Sequence, residues 1–138
     1  MTKEELRELR HLDILINTKQ SQIDDLRAKA RYLQATDYGR DRVQTSNKST
    51  IEDLILKIYD LEIEIEKDID LLIDKKKDAI LEINNINDLR YRTILELRYL
   101  KSKKWEEIAV ETGYEYSWVL RLHGEALKKL ATKSEYKV

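Results

Sequence analysis

The chain contains no cysteine, no proline and no phenylalanine, and only three glycines in 138 residues. Without cysteine there is neither a disulfide framework nor a thiolate metal site. Without proline, and with so little glycine, almost nothing interrupts a helix. Apolar runs stop at three residues, as in Ile14-Leu15-Ile16 and Leu71-Leu72-Ile73. Such runs are far too short for a membrane span or a secretory core, so the expectation is a cytoplasmic protein with no membrane partner. There is no P-loop, no dinucleotide fingerprint and no nucleophile elbow. His11 and His123 have no His, Cys or carboxylate partner at a metal-motif spacing. The expectation is a protein that is not an enzyme and carries no cofactor or metal.

What remains is charge and aliphatic periodicity. Charged residues make up 38% of the chain, against ~25% in an ordinary domain. The net charge is −1, but it is unevenly spread. Residues 1–88 hold 15 Lys/Arg against 20 Asp/Glu, whereas residues 89–138 hold 11 against 7. A basic C-terminal part beside an acidic N-terminal part suggests that the former meets a polyanion.

Ile and Leu recur in steps of three and four, which predicts long amphipathic helices. Thr2 and Glu5 form a capping-box pattern. The stripe that follows runs through Leu9, Leu12, Ile16, Ile23, Leu26, Ala30 and Leu33, with Lys19 in one apolar slot. This predicts a helix of about 30 residues, roughly 45 Å long. Residues 37–49 lack periodicity and carry Gly39, Arg40, Arg42 and Lys48, so they read as a loop. Ser49 and Glu52 repeat the capping pattern ahead of a second stripe from Ile51 to Ile83. The stripe breaks phase at Ile65–Ile69 and is interrupted by Lys75-Lys76-Lys77, a solvated face or a contact to flanking DNA. The alternating carboxylates Glu62, Glu64, Glu66, Asp68 and Asp70 point to several sides of a helix and do not converge on a metal. Neither stripe can be buried alone. The fold expected is all-α: a long antiparallel helical hairpin over residues 1–87, supplemented by homodimerisation, then a separate domain over residues 88–138. The boundary falls at Asn84-Asn85-Ile86-Asn87-Asp88, whose side chains compete with helix.

Three short helices fit the C-terminal domain. The first is Leu89 to about Leu100, followed by a basic turn, Lys101 to Lys104. The second is Trp105 to Thr112, with Gly113 where a helix end needs positive φ. The third runs from Tyr116 to about Leu130. Its inner face is Val119, Leu122, Ala126, Leu127 and Leu130, and its outer face is Tyr116, Ser117, Leu120, Arg121, Gly124, Glu125 and Lys128. This is the layout of a helix-turn-helix, in which the third helix offers its N-terminal outer face to base edges in the major groove. Arg121 suits a bidentate contact with guanine. Tyr116 and Ser117 can reach phosphate or base edges, and Lys101, Lys103 and Lys104 are placed for backbone phosphate.

Tyr91-Arg92-Thr93-Ile94-Leu95-Glu96-Leu97-Arg98-Tyr99, then Trp105-Glu106-Glu107-Ile108-Ala109, Thr112-Gly113, Val119 and Glu125-Ala126-Leu127-Lys128-Lys129-Leu130 resemble region four of bacterial primary sigma factors. The whole chain resembles small sigma-like late transcription regulators of phages and prophages of Gram-positive bacteria, through Asp41-Arg42-Val43-Gln44-Thr45-Ser46 and Arg121-Leu122-His123-Gly124. The resemblance implies binding to promoter DNA, a contact with host RNA polymerase, and a place in the bacterial host cytoplasm. It puts Tyr116, Ser117, Leu120 and Arg121 in the DNA-contacting positions. Glu115, Leu120 and Glu125 depart from the region-four pattern, so the target should differ from the usual −35 element. No segment resembles the sigma region that melts the −10 element. Two other readings remain open: a DNA-packaging factor resembling a terminase small subunit, and an adaptor that grips polymerase without binding DNA.

Overall fold

The computed structural model describes residues 1–36 and 44–135. Among the described residues all regular structure is helical: α1 (Lys3–Thr36), α2 (Gln44–Asn84), α3 (Leu89–Leu95), α4 (Trp105–Thr112) and α5 (Tyr116–Glu135). The expected all-α class is the observed one. The start of α1 is fixed by the reciprocal cap: the Glu5 amide donates to Thr2 Oγ1 at 3.2 Å, and the Thr2 amide to Glu5 Oε2 at 3.4 Å. The loop expected over residues 37–49 does not hold for its second half. Residues 44–49 already belong to α2, so Ser49 lies inside a helix and is not its cap. No Gly or Pro lies between Gln44 and Ser49, and extending a nucleated helix costs little per residue. Arg40 and Arg42 lie outside the described residues.

The chain forms two compact units, Leu15–Asp70 and Met1–Ile14 with Leu71–Val138. In the first unit, Ile23 of α1 and Leu54 and Ile65 of α2 are buried. Ion pairs set the order of the two helices. Lys19 bonds Asp68 at 2.6 Å and Glu64 at 3.4 Å, and Arg27 bonds Glu62 at 2.6 Å. Later α1 residues thus pair with earlier α2 residues, so the helices run antiparallel. The Lys19 side chain is only 16% exposed, which accounts for a cation in an apolar slot. The Asp68 hydrogen bond holds its ammonium above its usual pKa. A single polar partner in an apolar seam discriminates between registers that apolar residues tolerate equally.

In the second unit, the first turns of α1 and the last turns of α2 are buried through Leu6, Leu9, Ala79 and Ile83. α2 stops where expected, with Ile86 and Asn85 amides closing short bonds onto Ile83 and Glu82. Asp88 then caps α3, its Oδ1 accepting from the Arg90 amide at 2.9 Å. α3 passes without a break into a π-helical turn, Glu96–Leu100. The Lys101 amide closes that turn onto the Glu96 carbonyl at 3.0 Å. The inserted residue lets Ile94, Leu95, Leu97 and Tyr99 all be buried, which no single face of an α-helix allows. Ile94, Leu97, Ile108, Val119 and Leu122 form one core, flanked by Tyr91, Trp105, Ala109, Tyr114 and Trp118. Gly113 ends α4 at φ 76°, its amide on the Ala109 carbonyl at 3.0 Å.

The exit from the π turn is strained. Ser102 has φ 53°, the left-handed region that costs a non-glycine residue about 1–2 kcal/mol. Its hydroxyl is buried without a partner. Ser102→Gly removes both costs against a smaller gain in unfolded-chain entropy, and is expected to stabilise the protein by about 1 kcal/mol. Urea unfolding measures this, and a midpoint at or below wild type would contradict the strain.

Candidate nucleic-acid interface

α5 has two chemically distinct faces. Val119, Leu122, Ala126 and Leu130 are buried, and Leu127 is half-buried. Tyr116, Ser117, Leu120 and Arg121 are exposed together on the first turn and a half. With a rise of about 1.5 Å per residue these four span roughly 8 Å along the axis, within a major groove about 12 Å wide. The Glu115 carbonyl accepts the first bond of the helix, from Val119, at 3.0 Å. The Arg121 guanidinium lies 5.9 Å from the Trp118 ring centroid, so the half-buried indole steadies its base. Among the described residues no carboxylate pairs with Arg121.

The basic turn is less uniform than its sequence. Lys101 and Lys104 are exposed. Lys103 is half-buried and reaches Glu111 at 3.8 Å, which partly neutralises it. The Lys104 amide donates to Glu107 Oε1 at 3.4 Å, so this residue caps α4 with its backbone. Lys128 is exposed, two turns beyond Leu120 on the same side of α5. In the triple-lysine run, Lys75 bonds Glu8 at 3.4 Å and Lys77 is exposed.

Glu125 does not belong to the outer face expected for it. It is half-buried and accepts a hydrogen bond from the Tyr91 hydroxyl at 2.9 Å. That bond ties α3 to α5, and with burial it raises the Tyr91 pKa. A lysine here would leave the phenol without its acceptor. His123 is likewise a packed residue. Its Nε2 and the Tyr99 hydroxyl share a hydrogen bond of 2.6 Å, and its ring meets Trp105 edge-on at 4.6 Å. Nothing in the 24-residue separation of Tyr99 and His123 signals this pairing in advance. The π turn, which no spacing rule announces, brings Tyr99 into place.

The model of one protein family, described as Protein of unknown function (DUF1492), matches residues 32–131. The chain belongs to this family. No curated protein and no solved structure matches it. The family match covers α2 to α4 and α5 as far as residue 131, and therefore the whole candidate interface.

Among the described residues no group of three or more His, Asp or Glu is arranged to hold a metal ion. No described helix is long and apolar enough to cross a membrane. The face of α4 carries Glu106, Glu107 and Glu111 around Val110, which is 85% exposed. Acidic side chains there would repel phosphate.

His123 gives the second unit an acid limit. Burial, followed by the fields of Arg98, Lys3 and Arg7, lowers its pKa from 6.5 to about 4. The folded state therefore resists a proton that the unfolded chain accepts below 6.5. The stability from neutral His123 is whole above pH 6.5 and is lost as pH falls from 6.5 towards 4. Allowing for solvent screening of the partly exposed ring, the loss is about 1–2 kcal/mol. His123→Gln, followed by urea unfolding at pH 7.5 and pH 5, is expected to flatten this dependence. An equally steep decline in the variant would place the acid sensitivity elsewhere.

Proposed function

We propose that this protein is a sequence-specific duplex-DNA-binding transcription regulator, with α4 and α5 acting as a helix-turn-helix of the sigma region-four type. The observation that carries the reading is the clustering of Tyr116, Ser117, Leu120 and Arg121 on one exposed face at the start of α5, directly opposite its buried face. The glycine turn at Gly113 supports it, because a tight turn is what braces a recognition helix against its predecessor. In this reading Arg121 reads a base, Tyr116 and Ser117 touch phosphate or base edges, and Lys101, Lys104 and Lys128 position the backbone. Lys103 contributes less, since Glu111 competes for it. The protein acts at promoters with host RNA polymerase, in the bacterial cytoplasm, as a phage-encoded factor without enzymatic activity. The helical hairpin of α1 and α2 serves self-association, and exposed Ile55, Leu56 and Tyr59 on α2 favour a homodimer.

A second reading rests on α4. The exposed Val110, set among Glu106, Glu107, Glu111 and Lys103, offers an apolar side chain to a protein partner on a face whose carboxylates disfavour DNA. It favours an adaptor that grips polymerase through α4 and predicts polymerase capture without duplex binding. The packaging alternative would require a many-subunit ring.

Selection of bound duplexes from a random pool at low salt tests the DNA reading, and failure to enrich any motif would sink it. With an enriched site in hand, Arg121→Ala is expected to weaken binding to that site by ~1–3 kcal/mol while leaving non-specific binding nearly unchanged. Equal losses on every sequence would reduce Arg121 to a phosphate contact.

A further inference from the structure

A cleft of about 310 Å³ lies between the first turns of α1 and the C-terminal helices within the same compact unit. Arg7 and Arg10 of α1 and Arg98 of the π turn converge on it, beside His11, Trp105 and His123. No carboxylate lines it. Among the described residues none of the three arginines takes part in an ion pair. Two of them are partly withdrawn from solvent. The Arg10 Nε is buried and has no hydrogen-bond partner. Arg98 is held in place on two sides: its Nη1 donates to the Lys103 carbonyl at 3.0 Å, and its guanidinium stacks 4.1 Å from the Trp105 ring centroid.

Guanidinium groups gathered without a carboxylate repel one another, and a buried donor of a charged group left unpaired costs free energy. Burial and the nearby Arg10 charge lower the pKa of Arg98, against weaker opposing fields from Tyr99 and Glu106. An anion seated among the three would remove both penalties. Several guanidinium forks around one point match the tetrahedral oxygens of a phosphate better than the two oxygens of a carboxylate. The volume is at the small end of ligand sites, about 300–1,000 Å³, so a phosphate with an attached group fits as well as the free ion.

We propose that Arg7, Arg10 and Arg98 form a phosphate-binding site in this cleft. The group bound is a phosphate oxyanion, supplied either by a free phosphorylated ligand or by the backbone of a bound duplex. The site stands independently of base reading by α5, since its residues lie outside the exposed face of that helix.

Thermal unfolding of the full chain in sodium phosphate and in sodium chloride, at matched ionic strength and pH 7.5, tests it. At about tenfold excess over the dissociation constant, phosphate is expected to raise the wild-type Tm by roughly 3–6 °C above chloride. Arg10→Gln and Arg98→Gln are expected to lose that increment while unfolding cooperatively in chloride. Arg7→Gln, on an exposed turn of α1, is expected to reduce it and guards against misfolding of the other two. Equal wild-type midpoints in the two salts would overturn the proposal, as would an undiminished phosphate increment in all three variants. Duplex binding by Arg10→Gln then assigns the source. A salt slope shallower by about one charge supports a backbone phosphate. Unchanged duplex binding with a lost phosphate increment supports a free ligand. A wild-type chain that binds no duplex, yet keeps the phosphate increment, would refute the DNA reading and leave this site standing.

Discussion

The packing of Ile94, Leu97, Ile108, Val119 and Leu122 into one sealed cluster is the constraint on which the C-terminal helices depend. The two shortest helices that contribute to it are not held by their own propensity. α3 has seven residues and α4 eight, lengths at which an isolated helix in water is marginal. Burial of these five side chains sets the rotation of each helix about its axis. Once Val119 and Leu122 point inward, Tyr116, Ser117, Leu120 and Arg121 have only the outward side left. The exposed face of α5 is thus a consequence of the core and not a separate feature.

The π turn at Glu96–Leu100 is the second determinant, and it links the core to the basic cleft. One extra residue in the turn lets the chain bury Leu97 and Tyr99 together and swings Arg98 over Trp105. The strained backbone at Ser102 lies in the four residues that join this turn to α4. Tyr99 meets His123, and His123 meets Trp105, so that an aromatic cluster closes one side of the arginine cleft. Strain, aromatic packing and unpaired positive charge therefore occur together around one short turn.

Polar groups do a different job in the long helices. A seam of Ile and Leu tolerates several registers of similar energy, because apolar contacts lack direction. Lys19 between Asp68 and Glu64, and Arg27 on Glu62, add direction. A slip that carries Asp68 out of reach of Lys19 would cost a partly covered ammonium its shortest hydrogen bond, a penalty that apolar contacts alone do not impose.

Much of this was legible in the residues alone. Three- and four-residue spacing of Ile and Leu gives helices, Thr2 with Glu5 gives the start of α1, Asp88 and Gly113 mark real helix ends, and the inner face of α5 follows from its own pattern. These are local matters, decided by backbone hydrogen bonding within a few residues. The start of α2 was not legible, because a polar stretch without Gly or Pro carries no strong signal for or against helix. The role of Glu125, the pairing of Tyr99 with His123, the π turn and the meeting of Arg7 and Arg10 with Arg98 were invisible. Each joins residues far apart in the chain, and sequence spacing encodes no distance between them. Sequence by itself determined the all-helical class and which side of each helix is apolar, since both follow from local periodicity. Only the tertiary structure decided which charges are paired and which converge unpaired, because that depends on how separate helices pack around a shared core.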